Sequence, residues 1–460
     1  MTDTSLNPLC QQVLSFLSKD EFANKPLVIA YSGGVDSQVL LHCLAQIKDY
    51  LIAPVHAVHV NHGLSEHASQ WQQFTQQQAT QFDVPYVAVE VVIKKQNQQS
   101  LEALARDARY QAISDNSAVN SVVLTAHHQD DQLETLLLAL KRGSGIQGLS
   151  AMQDVRSFTD NRVIARPFLS ISRKQIENYA NTFKLKWIED ESNSNQEFDR
   201  NFLRQSVIPL LEQRWPQIKK TASRSAKHCQ QAQILVEQVA ETDLKHCQIS
   251  KDSLSIDLLK ELSKQRLINL LRFFIKVNNK LAPSEKQIEE VIKTCFSAKE
   301  DKNPEVKVGD FYIRRFKQKL FISDVFGDIS AWQKQFSIAE LLHTKEITLP
   351  DNLGSLYFTE NKQIENSSES QFFLAYNDVH AQLKLAFKHD NPKCLPDFRH
   401  QRRTLKKVLQ ELQIPTWQRR RLPLIFINEQ LAAVLPLFID KDFTANTNTK
   451  CLSITWHKHK

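Results

Sequence analysis

The sequence predicts an α/β protein in which a parallel-sheet N-terminal domain is followed by a small, mostly helical domain and a mixed α+β C-terminal domain. Three observations predict it. From Pro26 to about Pro216 short β-branched runs alternate with helical patterns, after Trp215-Pro216 helical periodicity takes over, and the last ninety or so residues mix both patterns. The 460 residues suffice for about three domains at roughly 150 residues each. The expected boundaries are 1–216, 217–330 and 371–460, with a connecting segment and linker over 331–370.

In chain order, the strand candidates are Leu27 to Tyr31, Val55 to Val60, Val84 to Ile93, Ser121 to Ala126 and Arg162 to Pro167. Between them Leu101, Leu104, Ala105, Ala108 and Ala112 recur at helical spacing, and the Gln-rich run Gln70 to Gln81 reads as a solvated helix face. Such a parallel sheet takes its ligands beyond the carboxyl ends of its strands. Further on, Leu258, Leu262, Leu267, Leu270, Leu271 and Phe274 line a helix interior, and Pro283-Ser284-Glu285 starts another helix. Val306 to Val308, Phe311, Ile313, Leu320 and Ile322 read as a short hairpin rimmed by Arg314, Arg315, Lys317 and Lys319. The polar stretch Asn361 to Ser370 reads as a linker.

Composition excludes several classes. Hydrophobic residues at 42% and charged residues at 24% are globular values, and no apolar run approaches the ~20 residues that cross a bilayer. Met1 to Asp20 shows no secretion signal, so a cytoplasmic protein is expected. The seven cysteines form no C-x-x-C pair, which argues against a disulfide framework, a zinc ribbon or a redox pair. Six of the nine glycines fall before residue 150, where their positions become informative.

Ser32-Gly33-Gly34-Val35-Asp36-Ser37 lies between the first strand and the helical run Val39, Leu40, Leu44. Two glycines let the backbone aim N–H groups at an oxyanion, and a helix N-terminus adds about half a positive charge. The loop reads as a phosphate cradle, though it has neither the Lys of a G-x-x-x-x-G-K-[ST] loop nor G-x-G-x-x-G spacing. His59-Val60-Asn61-His62-Gly63-Leu64 ends the second strand. Thr125-Ala126-His127-His128-Gln129-Asp130-Asp131-Gln132-Leu133-Glu134-Thr135 closes a buried strand and opens a helix. Adjacent His side chains diverge, so zinc is disfavoured there. Glu102, Arg106 and Arg109 share one helix stripe; Arg142-Gly143-Ser144-Gly145 is a glycine turn; Asp190-Glu191-Ser192-Asn193 leads to Arg200-Asn201-Phe202-Leu203-Arg204. Arg399, Arg402, Arg403, Lys406, Lys407, Arg419, Arg420 and Arg421 face one acid, Glu411, with Trp417 among them as a stacking surface.

S-G-G-x-D-S after the first strand resembles the pyrophosphate loop of the N-type ATP pyrophosphatases, with their PP-loop, adenine nucleotide alpha hydrolase-like fold. The order of that loop, H-V-N-H-G-L, A-R-x-x-R-Y, T-A-H-H-x-D-D-Q-x-E-T, R-G-x-G, D-x-S-N and R-N-x-x-R is similar to the tRNA(Ile)-lysidine synthase family. Arg266 to Lys276, and Leu405 through Leu424, extend the resemblance over nearly the whole chain. Leu64-Ser65, where many relatives have Leu-Arg, and Phe387-Lys388, where an Arg-rich strand is expected, depart from it.

The resemblance implies ATP and Mg2+; the cysteine spacing and the diverging His127-His128 pair argue against zinc, and the missing C-x-x-C against an iron–sulfur cluster. It implies that Ser32, Gly33, Gly34, Val35, Asp36 and Ser37 bind ATP, with Asp36 on Mg2+, and that Asp36, Arg109, Asp130, Asp131, Asn201 and Arg204 are catalytic. His59, His62, His127 and Glu134 are candidates for substrate or lysine contact; Arg314, Arg315, Lys406, Lys407, Trp417, Arg419, Arg420 and Arg421 for tRNA. The partners implied are tRNA(Ile) with a CAU anticodon and L-lysine, with no membrane; a homodimer is left open. In the implied reaction O2 of the first anticodon cytidine attacks the α-phosphate of ATP, and the lysine ε-amine then displaces AMP from carbon 2. A tRNA 2-thiolation enzyme and a non-catalytic RNA-binding adaptor are the alternatives. The missing C-x-x-C argues against the first, and the intact loop with Asp130 and Asp131 against the second.

Overall fold

Leu27, Val28 and Ile29 are buried because β1 (Leu27–Ala30) runs through the middle of a six-stranded sheet. The computed structural model describes residues 6–63, 65–92, 101–299, 302–361, 371–445 and 450–458. Leu64, Ile93, the side chain of Glu102 and residues 362–370 of the expected linker lie outside them. The chain divides into two units, Met1–Val239 and Ala240–Lys460.

In the first unit β2 (Val55–Asn61), β3 (Tyr86–Glu90), β4 (Val122–Leu124), β5 (Val155–Ser157) and β6 (Val163–Ala165) join β1 in the order β3-β2-β1-β4-β6-β5. Leu27 stands opposite Val55 on one side and Val122 on the other, both in parallel register. β5 alone runs antiparallel, paired with β6 at the edge. Three residues, Val155 to Ser157, of which the last two are exposed, are too short a run for a periodicity to mark, so this strand is not expected from sequence.

Helices α1 (Pro8–Leu17), α2 (Val35–Gln46), α3 (Ala68–Gln81), α4 (Leu101–Asp115), α5 (Gln129–Lys141), α6 (Ile146–Leu149) and α7 (Arg173–Thr182) accompany the sheet. Val39, Leu40, Leu41 and Leu44 of α2 are fully buried among Ile29, Val122, Phe168 and Ile176. The Gln-rich α3 is not merely solvated: Gln72 accepts from Asn61 Nδ2 (3.0 Å) and Gln78 from Gln38 Nε2 (2.7 Å). Because β2 and β3 lie on one side of β1 and β4 on the other, the connections leaving β1 and β4 diverge. Their carboxyl ends therefore border the crevice where such sheets bind ligands.

In the second unit Lys264–Val277 and Glu285–Phe296 pack Leu270, Leu271, Phe274, Ile288 and Val291 against Val306, Ile313, Leu320 and Ile322. The expected hairpin is Phe311–Phe316 with Lys319–Asp324, two inner strands of a five-stranded sheet completed by Glu305–Val308, Ser253–Ser255 and Gln248–Ser250. Arg314 and Arg315 consequently do not rim it; they are 7% and 1% exposed.

Beyond it, Gln333–Ser337, Gln382–Ala386, Leu424–Ile427, Gln430–Val434 and Phe438–Ile439 form one sheet. Glu346–Thr348, Ser355–Asn361, Cys451–His457 and Gln371–Ala375 form a second, and Leu356, Phe358, Leu383, Leu385, Ile425 and Ile454 share one core. Segment 331–370, expected to connect domains, thus supplies three strands to these sheets. Ser355 to Asn361 pair with His457 to Cys451 at the far end of the chain, a partner no local pattern announces. Among the described residues no helix is long and apolar enough to cross a membrane.

Candidate active site

At the end of β1 the chain turns through Ser32, Gly33 and Gly34 into α2. Gly33 holds φ +87°, and a Cβ there would lie 2.5 Å from Ile188 Cδ1 and 2.7 Å from Thr75 Cγ2. Both the backbone conformation and the space require glycine. The Ser37 hydroxyl accepts from Gly33 N (3.0 Å), donates to Gly34 O (3.0 Å) and lies 3.1 Å from Ser32 Oγ, so the loop is braced from within. No side chain caps the N-terminus of α2, whose first N–H groups lack an intrahelical acceptor.

Across the crevice β4 runs through Thr125 to His128 into α5. Asp131 Oδ2 accepts from His128 N (2.9 Å), capping the helix. Glu134, one turn on, is 0% exposed, and Arg204 grips it with two bonds, Nε to Oε1 (2.7 Å) and Nη2 to Oε2 (3.0 Å). The same Nη2 reaches Asp131 Oδ1 at 3.4 Å. Arg204 comes from the π-helical turn Leu203–Val207 that follows the short helix Asp199–Phe202.

The buried His128 ring joins the two sides: Nε2 lies 3.7 Å from Asp36 Oδ1 and 3.6 Å from Asp131 Oδ2. Asp36 Oδ2 accepts from Arg173 Nη1 (2.6 Å), while Asp36 Oδ1 is buried without a hydrogen-bond partner. Burial pushes the Asp36 carboxyl above the usual carboxylate range, against the pull of His128 and Arg173. Burial would raise Asp131 too, but His128, His127 and the His128 N–H together hold it below that range. Burial also lifts Glu134 despite Arg204. Neighbouring carboxylates whose environments separate their proton affinities are a mark of acid–base chemistry.

The structure gathers Ser32 to Ser37, Asp131, Glu134 and Arg204 around one crevice, and the other candidates have partners of their own. Asp130 Oδ1 accepts from Arg173 N (3.0 Å) and its Oδ2 pairs with Lys219. His62 Nε2 accepts from Arg109 Nε (3.2 Å), and burial with that guanidinium pushes His62 down to about 4, hence neutral. His59 Nδ1 bonds the Tyr31 carbonyl (3.0 Å) and His127 Nδ1 the Thr125 hydroxyl (2.8 Å). Asn201 Nδ2 donates to the Asn195 carbonyl (2.8 Å), bracing the approach to Arg204. Arg173, Lys219 and Ile188 were missed by sequence reasoning, and His128 was noted only within its motif. The S-x-x-Q capping signal of Ser172 and Gln175 marks Arg173 as a helix start, yet nothing local joins it to Asp36.

Of the tRNA candidates, Arg314, Trp417, Arg419, Arg420 and Arg421 line one cleft of about 770 Å3 together with Tyr312, Phe326 and Lys388. The Arg314 guanidinium lies 4.4 Å from the Tyr312 ring and 5.2 Å from that of Trp417 while bonding Glu305 (2.9 Å). Arg421 pairs with Asp351 and stacks 4.2 Å over Phe326, and Arg419 Nε donates to the Ile414 carbonyl (2.7 Å). Arg420, Lys406 and Lys407 are exposed. Arg315 must be corrected: it donates inward to the carbonyls of Cys295, Ala298 and Lys317 and to Gln318, and is closed to RNA.

A sheet with its switch point at an uncapped helix behind S-G-G-x-D-S, facing buried carboxylates on the helix that follows the neighbouring strand, defines a PP-loop protein. A family model described as the PP-loop domain matches residues 6–211. The TilS substrate binding domain matches 254–321 and the TilS substrate C-terminal domain 383–456. Proteins named tRNA(Ile)-lysidine synthase are similar over most of the chain. The one from Actinobacillus pleuropneumoniae is 38% identical over 88% of this chain and 95% of its own length, and that from Histophilus somni 37% over 94% and 99%. The relative from Yersinia pestis is 36% identical over 98% and 96%. The chain belongs to the tRNA(Ile)-lysidine synthase family, whose PP-loop domain makes it an ATP-using enzyme.

Proposed function

We propose that the enzyme ligates L-lysine to carbon 2 of the cytidine at the first anticodon position of tRNA(Ile) bearing CAU, releasing AMP and pyrophosphate. The observation that carries this reading is the crevice itself, where a phosphate loop at the end of β1 faces the Asp131–Glu134–Arg204 cluster at the end of β4. The uncapped N-terminus of α2 and the Ser32 to Ser37 loop hold the phosphates of ATP. O2 of the cytidine bonds to the α-phosphorus as pyrophosphate leaves, which turns a poor electrophile into one with a leaving group. The lysine amine then bonds to carbon 2, AMP departs, and the amine gives up a proton.

Asp131 and Glu134, held by Arg204, form an acidic pocket for the ammonium of lysine. Glu134 is the acceptor for its proton, because burial has already raised its affinity for one. Arg109, bonded to neutral His62, offers a cation for phosphate. Mg2+ fits beside the loop. Asp36 Oδ1, buried with no hydrogen-bond partner among the described residues, would hold the cation there. When bound, the cation neutralises charge on the departing pyrophosphate.

Labelled lysine, ATP and unmodified tRNA(Ile) transcript test the reading, with cysteine as competing donor. Lysine should enter the RNA with one AMP and one pyrophosphate per residue. Sulfur transfer from cysteine without lysine incorporation would overturn it in favour of thiolation.

A further inference from the structure

Arg173 belongs to none of the motifs that point to the reaction, yet it is tied into the site at three points. It opens α7, and its backbone N–H donates to Asp130 Oδ1 (3.0 Å). Its Nε donates to Glu177 Oε1 (2.8 Å) on the next turn, and its Nη1 to Asp36 Oδ2 (2.6 Å). Lys219 neutralises Asp130 in turn. The guanidinium therefore bridges two carboxylates, one in the phosphate loop and one on its own helix. Its side chain is 35% exposed, so it has room to turn.

We propose that Arg173 is a positioning residue, the exchangeable counter-ion of Asp36: it compensates and aims the carboxylate while no divalent cation is bound, and cedes it when the cation arrives with ATP. The proposal rests on the reading of Asp36 as a Mg2+ ligand. A buried carboxylate without a partner takes up a proton or carries an uncompensated charge, and either state is costly to the protein before the metal binds. A lone fixed ion pair would oppose the cation permanently. The second partner removes that difficulty, since a guanidinium already bonded to Glu177 leaves Asp36 without becoming an orphan. The bond from Asp130 to the backbone keeps it within reach for return. Asp36 Oδ1, free of hydrogen bonds beside the His128 ring, stays available throughout.

The test uses the full chain and α,β-methylene-ATP, which cannot be cleaved at the reacting bond. Its dissociation constant is measured in EDTA and in saturating Mg2+, and the ratio of the two reads the coupling between metal and nucleotide. In Arg173→Gln the ratio should rise at least about five-fold over wild type, the lower range of inter-site coupling, because the cation no longer competes and metal-free nucleotide meets a bare carboxylate. In Glu177→Gln, where Asp36 is the only carboxylate left to the Arg173 guanidinium, the ratio should fall; Arg173→Lys, which keeps the charge, should stay near wild type. An unchanged or lowered ratio in a folded Arg173→Gln protein overturns the proposal, as does an unchanged or raised ratio in Glu177→Gln. Should Arg173→Gln not fold, Glu177→Gln decides alone. Asp36→Asn separates the two readings. A wild-type ratio there removes the metal assignment and the counter-ion with it, whereas a collapsed ratio beside an unmoved Arg173→Gln removes the counter-ion only.

Discussion

Glu134 is a carboxylate with no exposed surface, and Arg204, which grips both of its oxygens, is the cation that opposes the cost of burying it. Arg204→Ala should therefore destabilise the first unit by about 3 kcal/mol, the low end for breaking a buried pair because Arg204 is partly exposed. Glu134→Gln in that background should recover part of the loss in a denaturant melt. His127 carries a second residue-scale effect. Burial pushes it down to about 4, below its ordinary 6.5, so the unfolded chain takes up the proton first as the pH falls. The stability it contributes is complete above 6.5 and is lost towards 4, at a limiting slope of about 1.4 kcal/mol per pH unit. His127→Asn should flatten the fall in denaturation midpoint between those values; identical slopes would contradict the assignment.

The connection from β1 to α2 works as one element, and it tolerates less at its glycine than the turn after β2 does. Gly33→Ala meets both a positive φ and the Ile188 side chain, and should cost at least about 2 kcal/mol and most of the ATP affinity. Ile188→Ala in the same chain should relieve the clash and leave the backbone strain. Gly63 has φ +63° with nothing within 4 Å of a Cβ, so Gly63→Ala should show strain alone, about 1 kcal/mol. Equal losses for the two in a thermal melt would mean that Ile188 yields freely. The loop, the strand before it and the helix after it were all legible in the sequence, because two glycines between an apolar run and a 3.6-residue period are local facts. Ile188, 155 positions after Gly33, was not.

Across the whole molecule, the basic run of the C-terminal region is less free than its count suggests. Arg399 pairs with Glu411, Arg402 with Asp442 and Arg421 with Asp351, while Arg419 bonds a carbonyl. Arg420→Ala should therefore flatten the dependence of log tRNA affinity on log salt by about 0.7, one contact's worth. Adding Arg419→Ala and Arg421→Ala should flatten it by less than two contacts more. Arg315→Met should lower stability and leave the salt slope unchanged, since its guanidinium faces carbonyls of its own unit. A slope that falls in Arg315→Met would return that residue to the RNA surface.

The sequence alone determined the alternating strands and helices, the phosphate loop and the acidic helix start after β4, because periodicity, glycine placement and capping act within a few residues. It could also order those motifs into a family. Only the tertiary structure decided which charges meet: Arg173 with Asp36 across 137 positions, Arg204 with Glu134 across 70, and Asp130 with Lys219. It also buried Arg315 and drew Gln333 to Asn361 into the C-terminal sheets. Pairing between distant charges and distant strands depends on how the chain closes on itself, and no window of sequence contains both partners.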